Sequence, residues 1–213
     1  MPLAKPYQSQ PTAVATYNYT DIAEGTGVIA FNAFSYSLSG STLYGLTSQT
    51  PYSSDIEKTI TSITTAYTKL LDLDFDLTPF NLPKTIKGKA IVTIPFKLFN
   101  ADADKDYSAF VKAIIKKGAV EIASAFSSKV EISDQAISKT KVFNLPITLD
   151  GTLFKKGEIL RLTIELWGQR EAGSGGTMTI GIDPANRDGA IITKATDLIP
   201  TKLEFYCPFK LDL

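Results

Sequence analysis

The chain has 213 residues, 44% hydrophobic and 21% charged, the balance of an ordinary globular protein. Its 22 Lys and Arg offset 22 Asp and Glu, which argues against a general electrostatic hold on nucleic acid or an anionic membrane. The absence of histidine and the presence of one cysteine, Cys207, exclude Ser-His-Asp and Cys-His catalysis, zinc sites built on His or several Cys, and an intrachain disulfide.

Pro2, Pro6 and Pro11 disfavour strand pairing, so residues 1–11 read as an extended N-terminal arm and 12–213 as a single β-sandwich domain. The first residues hold no apolar stretch of the kind found in a secretory signal, and no run is long enough to cross a bilayer as a helix. Two β-prone runs follow, Thr12–Tyr19 and Val28–Tyr36, with Gly25-Thr26-Gly27 expected to turn between them. Residues 37–55 are rich in Ser, Thr, Gly and Tyr, a surface excursion with a short strand near Leu43–Leu46. In the stretch 56–68 Thr content and β-branching favour strand, with a short helix as the alternative.

The middle of the chain is more regular. Leu71, Leu73, Phe75 and Leu77 alternate with Asp72, Asp74 and Asp76, the period-two pattern of a strand with one dry and one wet face. Thr78–Pro83 breaks it. Ala90, Val92, Ile94, Phe96 and Leu98 define the next strand, where Pro95 suggests an edge or a bulge. Asn100–Asp106 is an acidic loop. Tyr107–Phe126 carries enough Ala for a helix, but Gly118 inside it would cost about 1 kcal/mol, so a hairpin turning at Lys116-Lys117-Gly118 is favoured. Val142–Leu149 is a strand ended by an Asp150-Gly151 turn. Leu160, Leu162, Ile164 and Leu166 then face inward, with Arg161, Thr163, Glu165 and Trp167 on the other side. Gly168–Gly176 is expected to be a hairpin loop returning through Met178, Ile180 and Ile182, and Asp183–Gly189 to be irregular. From Leu203 to Leu213 every odd residue is apolar, the pattern of a half-buried closing strand. The whole predicts an all-β, single-domain sandwich of jelly-roll type with eight to ten antiparallel strands.

Few residues invite chemistry. Cys207 lies on the dry face of the last strand, where it reads as a small buried hydrophobe and not as a nucleophile. The runs Asp72/Asp74/Asp76 and Asp102/Asp104/Asp106 resemble the opening of a calcium loop but lack its Gly at the sixth position and Glu at the twelfth, so no metal site is assigned. Gly173-Ser174-Gly175-Gly176 lacks the strand-then-helix setting of a phosphate loop. Paired carboxylates would suffice for glycoside hydrolysis, and Trp167 or the tyrosines between Tyr17 and Tyr67 for stacking on sugar, but no spacing singles these out. No catalytic residue, cofactor or metal is assigned.

Five blocks resemble uncharacterised proteins of tailed phages and environmental viruses: residues 70–83 (LLDLDFDLTPFNLP), 19–27 (YTDIAEGTG), 154–163 (FKKGEILRLT), 179–184 (TIGIDP) and 208–213 (PFKLDL). The resemblance implies a jelly-roll structural component of the virion, such as a capsid decoration or turret-like protein, non-enzymatic, docked on the major capsid protein or other virion proteins. It implies a homo-oligomer, with a trimer preferred because capsid shells offer threefold positions. The alternative is a carbohydrate-binding sandwich of a host-adhesion apparatus.

Overall fold

The computed structural model describes residues 15–16, 26–101, 104–133, 135–171, 176–187 and 201–210. The proposed arm, 1–11, lies outside them, as do Asp102, Gly173–Gly175 and Leu211–Leu213. Every regular element among the described residues is a strand. The first seven are β1 (Ala15–Thr16), β2 (Thr26–Leu38), β3 (Ser41–Thr47), β4 (Glu57–Ile60), β5 (Thr68–Leu77), β6 (Lys84–Phe99) and β7 (Tyr107–Lys117). The rest are β8 (Val120–Phe126), β9 (Val130–Ile132), β10 (Ser138–Phe154), β11 (Leu160–Arg170), β12 (Thr177–Gly181) and β13 (Glu204–Lys210).

All belong to one hydrogen-bonded path, β4-β12-β6-β13-β2-β3-β5-β11-β7-β8, with β10 on the free side of β6, β1 on β2 and β9 on β7. The path doubles back at β2, whose first half pairs with β13 and whose second half pairs with β3. One layer is therefore built on β10, β6, β13 and β12, the other on β5, β11, β7 and β8. Beyond the two ends of this arrangement β8 approaches β10 with no ladder between them. The fold is all-β and of the sandwich and jelly-roll class.

The core follows from the alternation. Ala90, Val92, Ile94, Phe96 and Leu98 of β6 are all fully buried, as are Leu160, Leu162, Ile164 and Leu166 of β11, and both sets join one hydrophobic cluster. Edge-on ring pairs add to it, Tyr44–Phe75 at 5.5 Å and Phe80–Phe154 at 5.3 Å between centroids. Leu203, Phe205, Cys207 and Phe209 are buried as the odd-residue pattern requires. β13 is an interior strand, pairing β6 on one side and β2 on the other.

Several local expectations are corrected. Among the described residues there are thirteen strands where about eight to ten were expected, and β3 pairs β5 in parallel, the exception to an otherwise antiparallel set. Thr26 and Gly27 belong to β2 instead of a turn. The β2–β3 turn is Ser39-Gly40, both at positive φ as the favoured two-residue hairpin turn demands. The stretch 56–68 holds strand β4, the outcome its β-branching favours. Pro95 sits at neither an edge nor a bulge. It lies on interior strand β6 where the side away from β10 changes partner: β13 reaches Thr93 and β12 starts at Phe96, leaving a gap in the ladder that tolerates a residue without an N–H. Asp150-Gly151 is a bulge inside the continuous β10, with Gly151 at φ 115°. Gly168–Arg170 extends β11, and β11 and β12 are not a hairpin, because β12 crosses to pair β4 and β6. The hairpin over Tyr107–Phe126 forms as expected.

Phe205→Ala removes a fully buried ring from that interior strand and is expected to lower unfolding free energy by about 3–5 kcal/mol, read by urea denaturation. A loss below about 1 kcal/mol would show that β13 is not part of the core. Burial pushes the Cys207 thiol strongly up from its ordinary pKa. The native protein at pH 8 should therefore stay unlabelled by a thiol reagent until denaturant is added, and rapid native labelling contradicts the buried position.

Candidate functional site

The first aspartate run forms one side of a charge lattice. β5 and β11 are antiparallel neighbours in the register Asp76↔Arg161, Asp74↔Thr163 and Asp72↔Glu165, so the outward side chains meet in transverse pairs. Arg161 grips Asp76 with two bonds, Nε to Oδ1 at 2.6 Å and Nη2 to Oδ2 at 2.8 Å, and donates from Nη1 to Asp74 at 2.8 Å. The Thr163 hydroxyl donates to the other oxygen of Asp74, and Lys116 Nζ stands 3.5 Å from it. Lys69 bridges Asp72 at 2.6 Å and the buried Glu165 at 3.2 Å, and Glu165 also accepts the Trp167 indole N–H at 2.8 Å. Hydrogen bonding to Asp76 raises the Arg161 pKa, and bonding to Asp72 and then Glu165 raises that of Lys69. The carboxylates of this run are thus committed to the chain's own cations, as expected for the solvated face of a strand. Of the second run, Asp102 lies outside the described residues, and Asp104 and Asp106 are exposed.

Trp167 is not a free stacking surface. Its ring lies parallel to Phe110 at 6.0 Å, and Phe110 also contacts Tyr67 at 5.7 Å and Phe126 at 5.8 Å. Another part of the same chain, Phe110, therefore covers one face of the indole that the sequence offered for stacking on sugar.

Two further polar constructions were not legible in the sequence. In the first, the buried Asp183 carboxylate accepts the Arg187 guanidinium at 3.1–3.2 Å and the Ala185 N–H at 3.3 Å. Arg187 also donates to the Ser53 carbonyl at 2.8 Å and stacks on Tyr52 at 4.4 Å. The buried Ser53 hydroxyl bonds Ser35, the Asp55 carbonyl and the Ile182 carbonyl. This knot ties the start of the 183–187 turn to the 53–55 loop and β2, a structural role.

The second is a cleft of about 510 Å³ where β7, β9 and β11 meet the loop before β5. The register places Gln169, Ser108 and Glu131 in one row across β11, β7 and β9. Tyr67 closes over this row, its hydroxyl bonded to Ser108 and its ring 4.8 Å below the Lys129 ammonium. Backbone bonds from Arg170 to Thr64 and from Glu171 to Asp106, both 2.9 Å, pin the walls. On the next row, which leaves the core face of the sheet, Tyr107 is paired with Arg170. Tyr107 is 1% exposed and its hydroxyl has no hydrogen-bond partner, nor has the buried Nε of Arg170. Gly176 makes room for that ring: a Cβ there would fall 2.0 Å from Tyr107 Cε1.

No family model and no curated protein matches the chain. Among solved structures it is similar to an α-amino acid ester hydrolase, at 12% identity over 78% of this chain and 34% of that one, with a TM-score of 0.47. It is also similar to an aminopeptidase from a marine sediment Thaumarchaeota archaeon, at 7% identity over 85% of this chain and 37% of that one, TM-score 0.46. A third is the VP2 subviral particle of infectious bursal disease virus, at 11% identity over 92% of this chain and 59% of that one, TM-score 0.31. The chain spans about a third of the length of these hydrolases. At such identities and TM-scores none of the likenesses bears on activity.

Asp183→Ala leaves Arg187 and the 183–187 turn without their central acceptor, and should cost about 1.5–3 kcal/mol of stability by urea denaturation. An unchanged unfolding curve would show that the knot carries no weight.

Proposed function

We propose that this chain is a non-enzymatic structural protein of a virion, a capsid decoration, turret or similar accessory component that associates with itself and docks on other virion proteins. The five-block resemblance to phage and environmental viral proteins supports the viral setting. The asymmetry of the two outer faces supports the assembly role. On the β5-β11-β7 face the rows are Asp76–Arg161–Lys116, Asp74–Thr163–Ile114 and Asp72–Glu165–Lys112, dense with paired charge. On the β10-β6-β13-β2 face the middle rows are Val142–Pro95, Asn144–Thr93–Glu204–Asn32 and Pro146–Ile91–Tyr206–Ala30, with Glu204 the one charged side chain among them and Lys97 and Lys89 in the rows on either side.

Ile91 at 40% exposed and Val142 at 38% stand open on this second face beside exposed Asn144 and Pro146. The charged layer is suited to water. The neutral layer can be covered by another protein with little desolvation cost, since few charges lose their hydration there. Zero net charge weakens the repulsion between copies. The trimer is preferred on the virion resemblance, and a closed ring would repeat one contact around the axis.

Light scattering after size exclusion is expected to give about 69 kDa, three times the 23.1 kDa chain. The double variant Ile91→Lys, Val142→Glu should shift the species toward about 23 kDa with its melting temperature retained. A monodisperse monomer for the wild type at micromolar concentration removes the self-assembly reading.

A further inference from the structure

We infer that the tip of the β2–β3 hairpin, residues 36–44, seats on the neutral β10-β6-β13 face of a second copy of this chain. The inference rests on the self-association reading above and names the element that carries it. Residues 25–54 hold no Asp, Glu, Lys or Arg, in a chain that is 21% charged, and the hairpin lies inside that stretch. From Phe34 onward β2 ladders only with β3, because β13 stops at Asn32 and β5 meets β3 at Gly45 and Leu46. Among the described residues, 36–44 is thus a two-stranded ribbon with no further strand paired to either edge. Every residue of 36–43 is exposed. Two strands by themselves are marginal in water, and exposed ribbons are ordinarily guarded by Lys, Pro or a bulge. This ribbon has neither Lys nor Pro, and its register runs without a shift.

One side of the ribbon is a prepared apolar surface. Side chains alternate along a strand, so Phe34, Tyr36 and Leu38 share the side of β2 that carries Ala30 and Asn32, and Leu43 stands opposite Tyr36. Leu38 is 60% exposed, Tyr36 38% and Leu43 37%. The Phe34 and Tyr36 rings stack at 5.5 Å, and Gly45 leaves room for them: a Cβ there would fall 2.9 Å from Phe34 Cε1. Other occupants fail on physical grounds. A lipid phase would strip water from the N–H and C=O groups along the unladdered edges and offer no partner in return. A strongly charged protein would gain nothing from a ribbon without charge. The chain's own neutral face lies on the same side of the unbroken β2 as the ribbon surface, so the two cannot cover each other within one molecule. A second copy meets each requirement. Its backbone can serve the ribbon edge, and its Ile91, Val142 and Pro146 stand exposed in rows that carry no charge to desolvate. Repeated head to tail, this contact closes into the ring that the trimer requires.

Light scattering after size exclusion reads the contact. The tip variant Leu38→Asp, Leu43→Lys changes exposed side chains only, and should shift the oligomer to about 23 kDa with its melting temperature retained. Leu38→Ser, a milder change, should weaken self-association about tenfold, the effect of one leucine that no longer gains burial. The deciding measurement mixes the tip variant with the face variant Ile91→Lys, Val142→Glu. Each is expected to be monomeric by itself. A mixed pair keeps one intact contact, the tip of the face variant on the face of the tip variant, and should run at about 46 kDa, twice the 23.1 kDa chain. Only folded chains can restore that species, so its recovery also excludes misfolding as the cause of the loss. A wild-type oligomer left unchanged by the tip variant or by Leu38→Ser overturns the inference while the assembly reading stands, as does a mixture that yields no paired species. Binding of the wild type to neutral phosphatidylcholine vesicles, abolished in the tip variant, overturns it in favour of a lipid surface. A monomeric wild type removes both the inference and the assembly reading.

Discussion

β6 is the strand on which the other contacts depend. Its sixteen residues ladder with β10 along one side and with β12 and then β13 along the other, so three strands from distant parts of the chain find their register on one template. Backbone N–H and C=O groups buried this deeply must be paired, and β6 is where the pairing of the first layer is set. Its inward side chains, all apolar and fully buried from Ala90 to Leu98, fix which face is the core. A slip of one residue would turn each of them to the outside, so the hydrophobic pattern locks the hydrogen-bond register.

From that template the two layers diverge in character. The layer around β6 carries mainly neutral side chains outward in its middle rows, while the layer around β11 carries an ordered set of opposite charges. Both solutions satisfy the same period-two backbone, but they present different surfaces. The ion pairs of the second layer are partly exposed, so each contributes modestly to stability. Their main effect is to specify how β5, β11 and β7 line up and to keep that face wet. The first layer has no such lattice of paired charge across its middle rows.

The core side of the β7–β11 ladder at Tyr107 and Arg170 departs from the economy of the rest. Elsewhere buried polar groups are well served: Ser53 has partners in three segments, and Asp183 is surrounded by donors. Among the described residues, Tyr107 Oη and Arg170 Nε, directly opposite one another on neighbouring strands, are buried without a hydrogen-bond partner.

Alternation along Leu71–Leu77, Ala90–Leu98, Leu160–Leu166 and Leu203–Phe209 was enough to establish strands, their buried faces and the all-β class, because side-chain direction in a strand has a period of two and water discriminates between the faces. The burial of Cys207 and the wet face of the first aspartate run followed from the same rule. Pairing did not. That β12 would leave β11 and cross to β6, that Pro95 would sit in an interior strand, and that Trp167 would be covered by Phe110 are contacts between residues far apart in sequence, chosen by packing and register. The cleft belongs to this second category: Tyr67, Tyr107, Glu131 and Arg170 carry no common spacing, and only the antiparallel ladders β9–β7–β11 bring them to one place. Local chemistry decided which residues face the core, and the tertiary structure decided which of the others would meet.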